Sequence, residues 1–316
     1  MKNTNKKFLY IISTQAGKGK PTKYIELIKE IIDNTEYKDS YKILNIEKAG
    51  QIKEATRNFA NEHKSNAHIF VCGGDGSLQE AAQGIYKTNA NLGVFPMGTA
   101  NDFCKALYGN IDIKKLIHES INFQPKKFDL GLINGELFIN ITSFGFDSLI
   151  LNETYELLEK NPKLGGNAYF LAIIKSLFSK NYINIKYRLE NENEVLEGEG
   201  EFTLGAICNM RYYGNGFMPC PNASPFDSVF DICYIRRLGN FEMMPLILKY
   251  RKGQHTEHKS VINFQAKRGY IESDEPFFAN YDGTLLKDKR LEFEIIPKAI
   301  NFLFPKDYNF SKFKEV

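Results

Sequence analysis

Hydrophobic and polar positions alternate along the first third of the chain in two rhythms. Phe8 to Ser13, Tyr41 to Ile46, Ala67 to Cys72 and Asn91 to Phe95 are strand-length runs dominated by apolar residues. Between them lie helical spacings. Lys23 to Asn34 carries Tyr24, Leu27, Ile28, Ile31 and Ile32 on one stripe. Ile52 to His63 turns Ile52, Ala55, Phe59 and Ala60 inward, and Leu78 to Tyr86 repeats Leu78, Ala81, Ala82 and Ile85. Ala100 to Leu107 and Ile113 to Glu119 complete the set. Strand and helix in alternation predict a doubly wound parallel sheet, an α/β architecture.

Around Pro125 the rhythm changes. Phe128 to Ile133 and Glu136 to Ile141 flank Asn134-Gly135, the signature of a β-hairpin on a type I′ turn. Two helical patterns follow, Ser148 to Lys160 and Asn167 to Ser179. The apolar residues of the second predict core packing, with a wall of a lipid site as the sharper alternative. From Ile183 onward short strands dominate: Ile183 to Leu189, Phe202 to Cys208, Val229 to Ile235, Ser260 to Ala266 and Leu291 to Ile296, with one helix at Phe241 to Tyr250. The expectation is a second, mostly antiparallel β domain with helical insertions.

Two turns in the first part carry chemistry. Gly73-Gly74-Asp75-Gly76-Ser77 joins a strand to a helix. Glycines let a ligand approach the main chain, and a helix start offers free N–H groups that suit a phosphate. Asp75 is out of place beside a phosphate unless a cation or hydroxyl lies between, so the site reads as nucleotide phosphate with Mg²⁺. A tight turn with a capping aspartate is the plainer alternative. The second turn, Gly98-Thr99-Ala100-Asn101-Asp102-Phe103, places a hydroxyl, an amide and a carboxylate after the next strand. Ligands of open α/β sheets bind beyond the carboxyl ends of the strands, so both turns could line one crevice. Ordinary helix capping by Thr99 or Asn101 fits as well.

Together, GGDGS and GTANDF resemble the catalytic domain of the diacylglycerol kinase family, in its soluble bacterial lipid kinase branch; sphingosine kinases share that domain. The resemblance implies ATP as co-substrate, Mg²⁺, and a lipid hydroxyl as acceptor. It implies nucleotide binding by Gly17, Gly73, Gly74, Asp75, Gly76, Ser77, Thr99, Asn101 and Asp102. Gly17 belongs to Ser13-Thr14-Gln15-Ala16-Gly17, a departure from the family's usual Asn-Pro-x-Ser-Gly that keeps the glycine. It also implies that the chain's last strand, Ala299 to Phe304, returns to the first domain. The division is then 1–125 with 299–316, and 126–298.

Two loops in the second half matter by the same resemblance. Pro221-Asn222-Ala223 and Asp227-Ser228 match a loop that binds a structural Mg²⁺, here through Asp227 with main-chain oxygens of Ser224 and Val229; serine stands where glycine is usual. On the residues alone Asp227 reads as a turn residue. Asn280-Tyr281-Asp282-Gly283-Thr284 matches the family's Asp-Gly-Glu, which holds the catalytic acid/base. Asp282 and Gly283 agree, but Thr284 replaces the glutamate. The catalytic candidates are Asp282 and Thr284. That replacement keeps a catalytically impaired nucleotide- or lipid-binding homologue open, beside an NAD kinase-like enzyme.

Composition alters this picture little. The 316 residues are 43% hydrophobic and 25% charged, with a formal net charge of +3, so global charge does not argue for nucleic acid. No run approaches a membrane span or a signal segment, which predicts a cytoplasmic protein. A lipid substrate then requires access at the membrane surface, and the basic clusters Arg236-Arg237 and Lys249 to Lys252 are candidates for peripheral association. A homodimer is compatible with the sequence. The five cysteines form no CxxC pair and read as buried free thiols; His255 and His258 read as surface residues rather than zinc ligands.

Overall fold

The computed structural model of the chain describes residues 5–13, 21–48, 50–98, 101–109, 112–165, 167–177, 182–214 and 216–314. The chain forms two compact units, Met1–Leu130 with Ile296–Val316, and Gly131–Ile295.

The first unit contains β1 (Lys7–Ser13), α1 (Pro21–Ile32), β2 (Tyr41–Ile46), α2 (Gln51–His63), β3 (Ala67–Gly73), α3 (Asp75–Ile85), β4 (Asn91–Pro96), α4 (Asp102–Tyr108) and α5 (Ile113–Glu119). Its sheet runs β2-β1-β3-β4 and is wholly parallel among these four. Every residue of β3 is buried, as expected for a central strand covered on both faces. One face carries a ladder of rings, Tyr10, Phe70 and Phe95, with Phe70 and Phe95 stacked at 4.9 Å. Ile28 and Ile32 of α1 and Leu116 and Ile117 of α5 close over it. Gly93 makes room for the ladder, since a Cβ there would meet the Phe70 ring at 2.5 Å. Helices α2 and α3 pack against each other where Gly84 faces Thr56, too close for any side chain at 84.

The second unit takes in the end of β5 (Gln124–Ile133) from Gly131 on, then β6 (Glu136–Phe138), β7 (Ile141–Gly145), α6 (Phe146–Lys160), α7 (Asn167–Leu177), β8 (Ile183–Glu190), β9 (Val195–Cys208), β10 (Phe230–Arg236), α8 (Asn240–Arg251), β11 (Val261–Ala266), β12 (Arg268–Tyr281) and the first part of β13 (Thr284–Phe304). The strands pair antiparallel in the order β11-β10-β9-β7-β12-β13. Two long strands each serve two neighbours. The first half of β9 and residues 268–272 of β12 pair with β8, while their second halves pair with β7. This folds the sheet over on itself. The aromatic core of Phe144, Tyr187, Phe202, Phe230 and Tyr234 fills the inside, and α6, α7 and α8 cover the other face of β7, β9 and β10.

The expected hairpin forms, with Asn134 and Gly135 at φ of 48° and 86°. Its second strand is shorter than the pattern suggests. Ile139 and Asn140 leave the ladder, and β7 starts afresh at Ile141. The end of the chain also differs. The expected strands Leu291 to Ile296 and Ala299 to Phe304 are one strand of 21 residues, β13, and β12 precedes it where no strand was expected. Charge hides both: Asp274 and Glu275 fall where the β12 register slips, and Lys287 to Lys289 are exposed. The last part of β13 pairs in parallel with β4, Asn301 opposite Asn91, so the chain does return to the first unit. Among the described residues no helix is long and apolar enough to cross a membrane.

Candidate functional site

The two glycine turns of the first unit meet. Met97 and Gly98 N–H both donate to Gly73 O at 3.1 Å, and a Cβ on Gly98 would lie 2.4 Å from Gly74 Cα. Only glycine permits that approach. Asn101, at φ 52°, clamps the same turn with its side-chain amide: Oδ1 accepts Gly98 N–H at 2.7 Å and Nδ2 donates to Gly98 O at 2.8 Å. Asp75, in the first turn of α3, reaches across to α4. Its Oδ2 accepts Asp102 N–H at 3.2 Å and its Oδ1 accepts Phe103 N–H at 3.1 Å. Burial raises the Asp75 carboxyl, and the neighbouring Asp102 adds to this, while the two amides and Lys105 oppose it. Asp102 is itself buried and meets Lys105 Nζ at 3.3 Å.

These bonds separate the two helix starts. The amide end of α4 is occupied by Asp75. That of α3 has Gly74 as its N-cap with no side-chain cap, and helical geometry leaves its first N–H groups without an intrahelical partner. Gly76 has open space around its Cα. Gly73, Gly74, Asp75, Gly76, Ser77, Asn101 and Asp102 therefore come together around the α3 start. Gly17 and Thr99 lie outside the described residues. Gly98 is the residue that sequence reasoning passed over. Its signal was steric, and became readable only once Gly74 stood opposite.

In the second unit, Asp282 and Gly283 form the two-residue turn between β12 and β13, at φ of 49° and 94°. The Asp282 carboxylate accepts three main-chain N–H groups: Ile139 to Oδ2 at 2.6 Å, and Asn140 and Ile141 to Oδ1, each at 3.0 Å. These are the amides released where the hairpin strand breaks. Thr284 is exposed at the start of β13.

Another carboxylate of the same unit sits among polar side chains. Asp147 stands in the first turn of α6, after Gly145 at φ 93°. Burial pushes its carboxyl up to about 6, against the pull of the Ser143 and Tyr213 hydroxyls. The Tyr213 hydroxyl in turn meets that of Tyr250 at 3.2 Å. The sequence did hold a signal for Asp147. The order strand, glycine, aspartate, helix occurs here as it does at Asp75.

Asp227 is 3% exposed, in the loop before β10, with Ser224 and Val229 also buried. Ser228 adopts φ 60°, which explains why a glycine would be favoured there. A buried carboxylate is a hard-oxygen donor of the kind Mg²⁺ takes. No cluster of three or more His, Cys, Asp or Glu side chains among the described residues could hold a metal, so a cation here would depend on main-chain oxygens. The cysteines are free and buried. His255 is not at the surface: it is fully buried, its ring 4.6 Å from that of Tyr250 and its Nε2 3.4 Å from Cys233 Sγ.

Comparison with known proteins gives a consistent picture. Residues 7–133 match the family model of the diacylglycerol kinase catalytic domain, and residues 140–304 match that of the YegS C-terminal NAD kinase beta sandwich-like domain. A "Probable lipid kinase YegS-like" protein of Shewanella frigidimarina is 31% identical over 249 residues, covering 75% of this chain and 76% of its own. A diacylglycerol kinase of Staphylococcus carnosus is 30% identical over 243 residues, covering 76% and 77%. A crystal structure of a diacylglycerol kinase from Bacillus anthracis superposes with a TM-score of 0.72 at 19% identity, covering 96% of this chain and 98% of that one, a likeness of fold.

Proposed function

The chain belongs to the diacylglycerol kinase catalytic-domain family, and from that premise we propose that it transfers the γ-phosphoryl group of ATP to the hydroxyl of diacylglycerol or a related lipid. The observation that carries this reading is the contact of Gly74 with Gly98 beneath the open amide end of α3, while Asp75 closes the end of α4. An anion is drawn to one helix start and not the other.

Phosphoryl transfer asks a protein chiefly for positioning and for neutralisation of charge. Gly73 to Ser77 give main-chain N–H groups for the phosphates, with Gly17 and Thr99 expected to complete the nucleotide site. Asn101 and Asp75 fix the loops, and Asp102 lies beside Asp75. Mg²⁺, where bound, supplies positive charge. A structural Mg²⁺ would be held by Asp227 with Ser224 and Val229 main-chain oxygens. Asp282 is read as the group that orients the lipid hydroxyl. Its three N–H partners make it first a residue that fixes the chain at Ile139 to Ile141. The reading includes a cytoplasmic protein that meets its lipid at a membrane surface.

Incubation with labelled ATP and Mg²⁺ against diacylglycerol, sphingosine, ceramide and NAD tests this. Label is expected in a lipid product. Label in NADP alone would replace the lipid reading with the NAD kinase one, and no transfer to any acceptor would leave only binding.

A further inference from the structure

The outward side of α8 combines one exposed apolar residue with unpaired charge. Leu248 is 63% exposed, more than Tyr155, Leu171 or Val195, the other large apolar side chains exposed among the described residues. Pro245 beside it is exposed too, as are Lys249, Arg251 and Lys252 at the helix end. None of these three cations forms an ion pair among the described residues. Of the three, Arg251 lies over the Phe217 ring, 5.8 Å from its centroid. Cations at a helix C-terminus complement its dipole, but that does not account for a leucine held in water among them.

We propose that the Leu248–Lys252 face of α8 docks the chain on an anionic lipid bilayer, an inference that rests on the lipid-kinase reading. A leucine flanked by cations suits an interface where acyl chains lie just beneath negative headgroups. A second copy of this chain suits it poorly, because a two-fold contact would set the three cations against themselves. The inward side of the same helix adds a reason for this location. Met243, Leu246 and Tyr250 are buried, and the Tyr250 hydroxyl meets that of Tyr213, which lies beside Asp147. The helix thus presents the docking face on one side and packs beside the buried polar cluster on the other.

The chain contains no tryptophan, so Leu248→Trp in the full-length protein is a single fluorescent reporter. With phosphatidylglycerol vesicles its emission is expected to shift to the blue and to be quenched by brominated acyl chains. Neither change is expected with phosphatidylcholine alone or at high salt. Adding Lys249→Glu, Arg251→Glu and Lys252→Glu should lower partitioning on the order of a hundredfold or more. Val195→Trp, exposed on β9, should not respond. The proposal is overturned if Leu248→Trp is indifferent to anionic vesicles, if Val195→Trp responds equally, or if the charge reversals leave partitioning unchanged. A Leu248→Glu variant that turns a dimer into a monomer, with no vesicle response in the reporter, would assign the face to a second copy instead. The readout needs no turnover, so failure of the kinase reading appears separately, as absence of phosphorylated lipid from a protein that still docks.

Discussion

Asp75 and Phe103 are joined by a hydrogen bond from the Phe103 N–H to Asp75 Oδ1, at 3.1 Å across 28 positions of sequence. With its neighbour at Asp102, this bond makes the aspartate of the first glycine turn the cap of the helix that follows the second. Removing it strands two main-chain donors at a buried helix start. Asp75→Ala is expected to lose roughly 2–3 kcal/mol in urea denaturation, and Asp75→Asn, which keeps one acceptor, about half of that. Equal stability of wild type and Asp75→Ala would show that the cap carries no weight.

Gly98 and Gly76 should respond oppositely to alanine. At Gly98 the new methyl overlaps Gly74 Cα, so the turns must part and nucleotide affinity and stability should fall together. At Gly76 nothing lies within 4 Å. A helical Gly→Ala there should stabilise by up to about 1 kcal/mol. If phosphates sit on the α3 amides, the same methyl crowds them and ATP affinity drops. Calorimetry with ATP beside thermal melts checks both; an unchanged affinity in Gly76→Ala moves the nucleotide elsewhere.

Ser228 holds a left-handed backbone conformation that costs a side-chain-bearing residue roughly 1–2 kcal/mol. Ser228→Gly relieves that strain but loosens the unfolded chain, so a net gain of up to about 1 kcal/mol is expected. Asp227→Ala should abolish any dependence of the melting temperature on Mg²⁺ against chelator, since it removes the one side-chain ligand proposed for the cation. A chelator effect of the same size in both proteins would place the cation at another site.

Buried titrating groups set the response to acid. His68 and His255 are held down to about 4 by burial, from 6.5. The unfolded chain therefore takes up protons that the folded one refuses, and stability falls as pH drops from 6.5 towards 4. Asp147 acts in the other direction. Its carboxyl is raised from 3.8 to about 6, so its contribution is full below 3.8 and is lost as pH rises through 6. Asp147→Asn should be more stable than wild type at neutral pH, with the gain vanishing near pH 4. A gain that is independent of pH would mean that Asp147 is not titrating in the buried state.

The roles of Asp282 and Thr284 separate in single-turnover rates. If Asp282 acts as base, Asp282→Asn loses about 10²- to 10⁴-fold in rate with little change in melting temperature. If it acts through the three amides it holds, rate and melting temperature fall together. Thr284→Glu is expected to change the rate modestly. An inactive wild type restored by Thr284→Glu would establish the impaired homologue.

The parallel half of the fold was legible because β1, β3 and β4 are buried on both faces and the helices on one, so periodicity and burial coincide. The hairpin at Asn134-Gly135 was legible for a local reason, two residues tolerant of positive φ. The antiparallel half was less so. In β12 and β13 the charged residues lie on positions facing water, and a run such as Lys287 to Arg290 looks like a loop until its partner strand is known. The site residues divide along the same line. Those in glycine turns declared themselves; the close approach at Gly98 and the burial of His255 depend on what packs against them, which no local pattern contains.

The path of β13 bears on the order in which the chain can acquire structure. The second unit is one continuous stretch of sequence, whereas the first waits for residues 296–304 to supply the strand beside β4. During vectorial synthesis the amino-terminal strands emerge first yet lack this sheet partner until residue 304 has left the ribosome. The edge of β4 stays open for that interval, a strand lip rich in Leu92, Val94 and Phe95. Production of this protein should therefore depend on chaperone supply during elongation, and truncation before Ile296 should yield aggregates from the first unit while the second still folds.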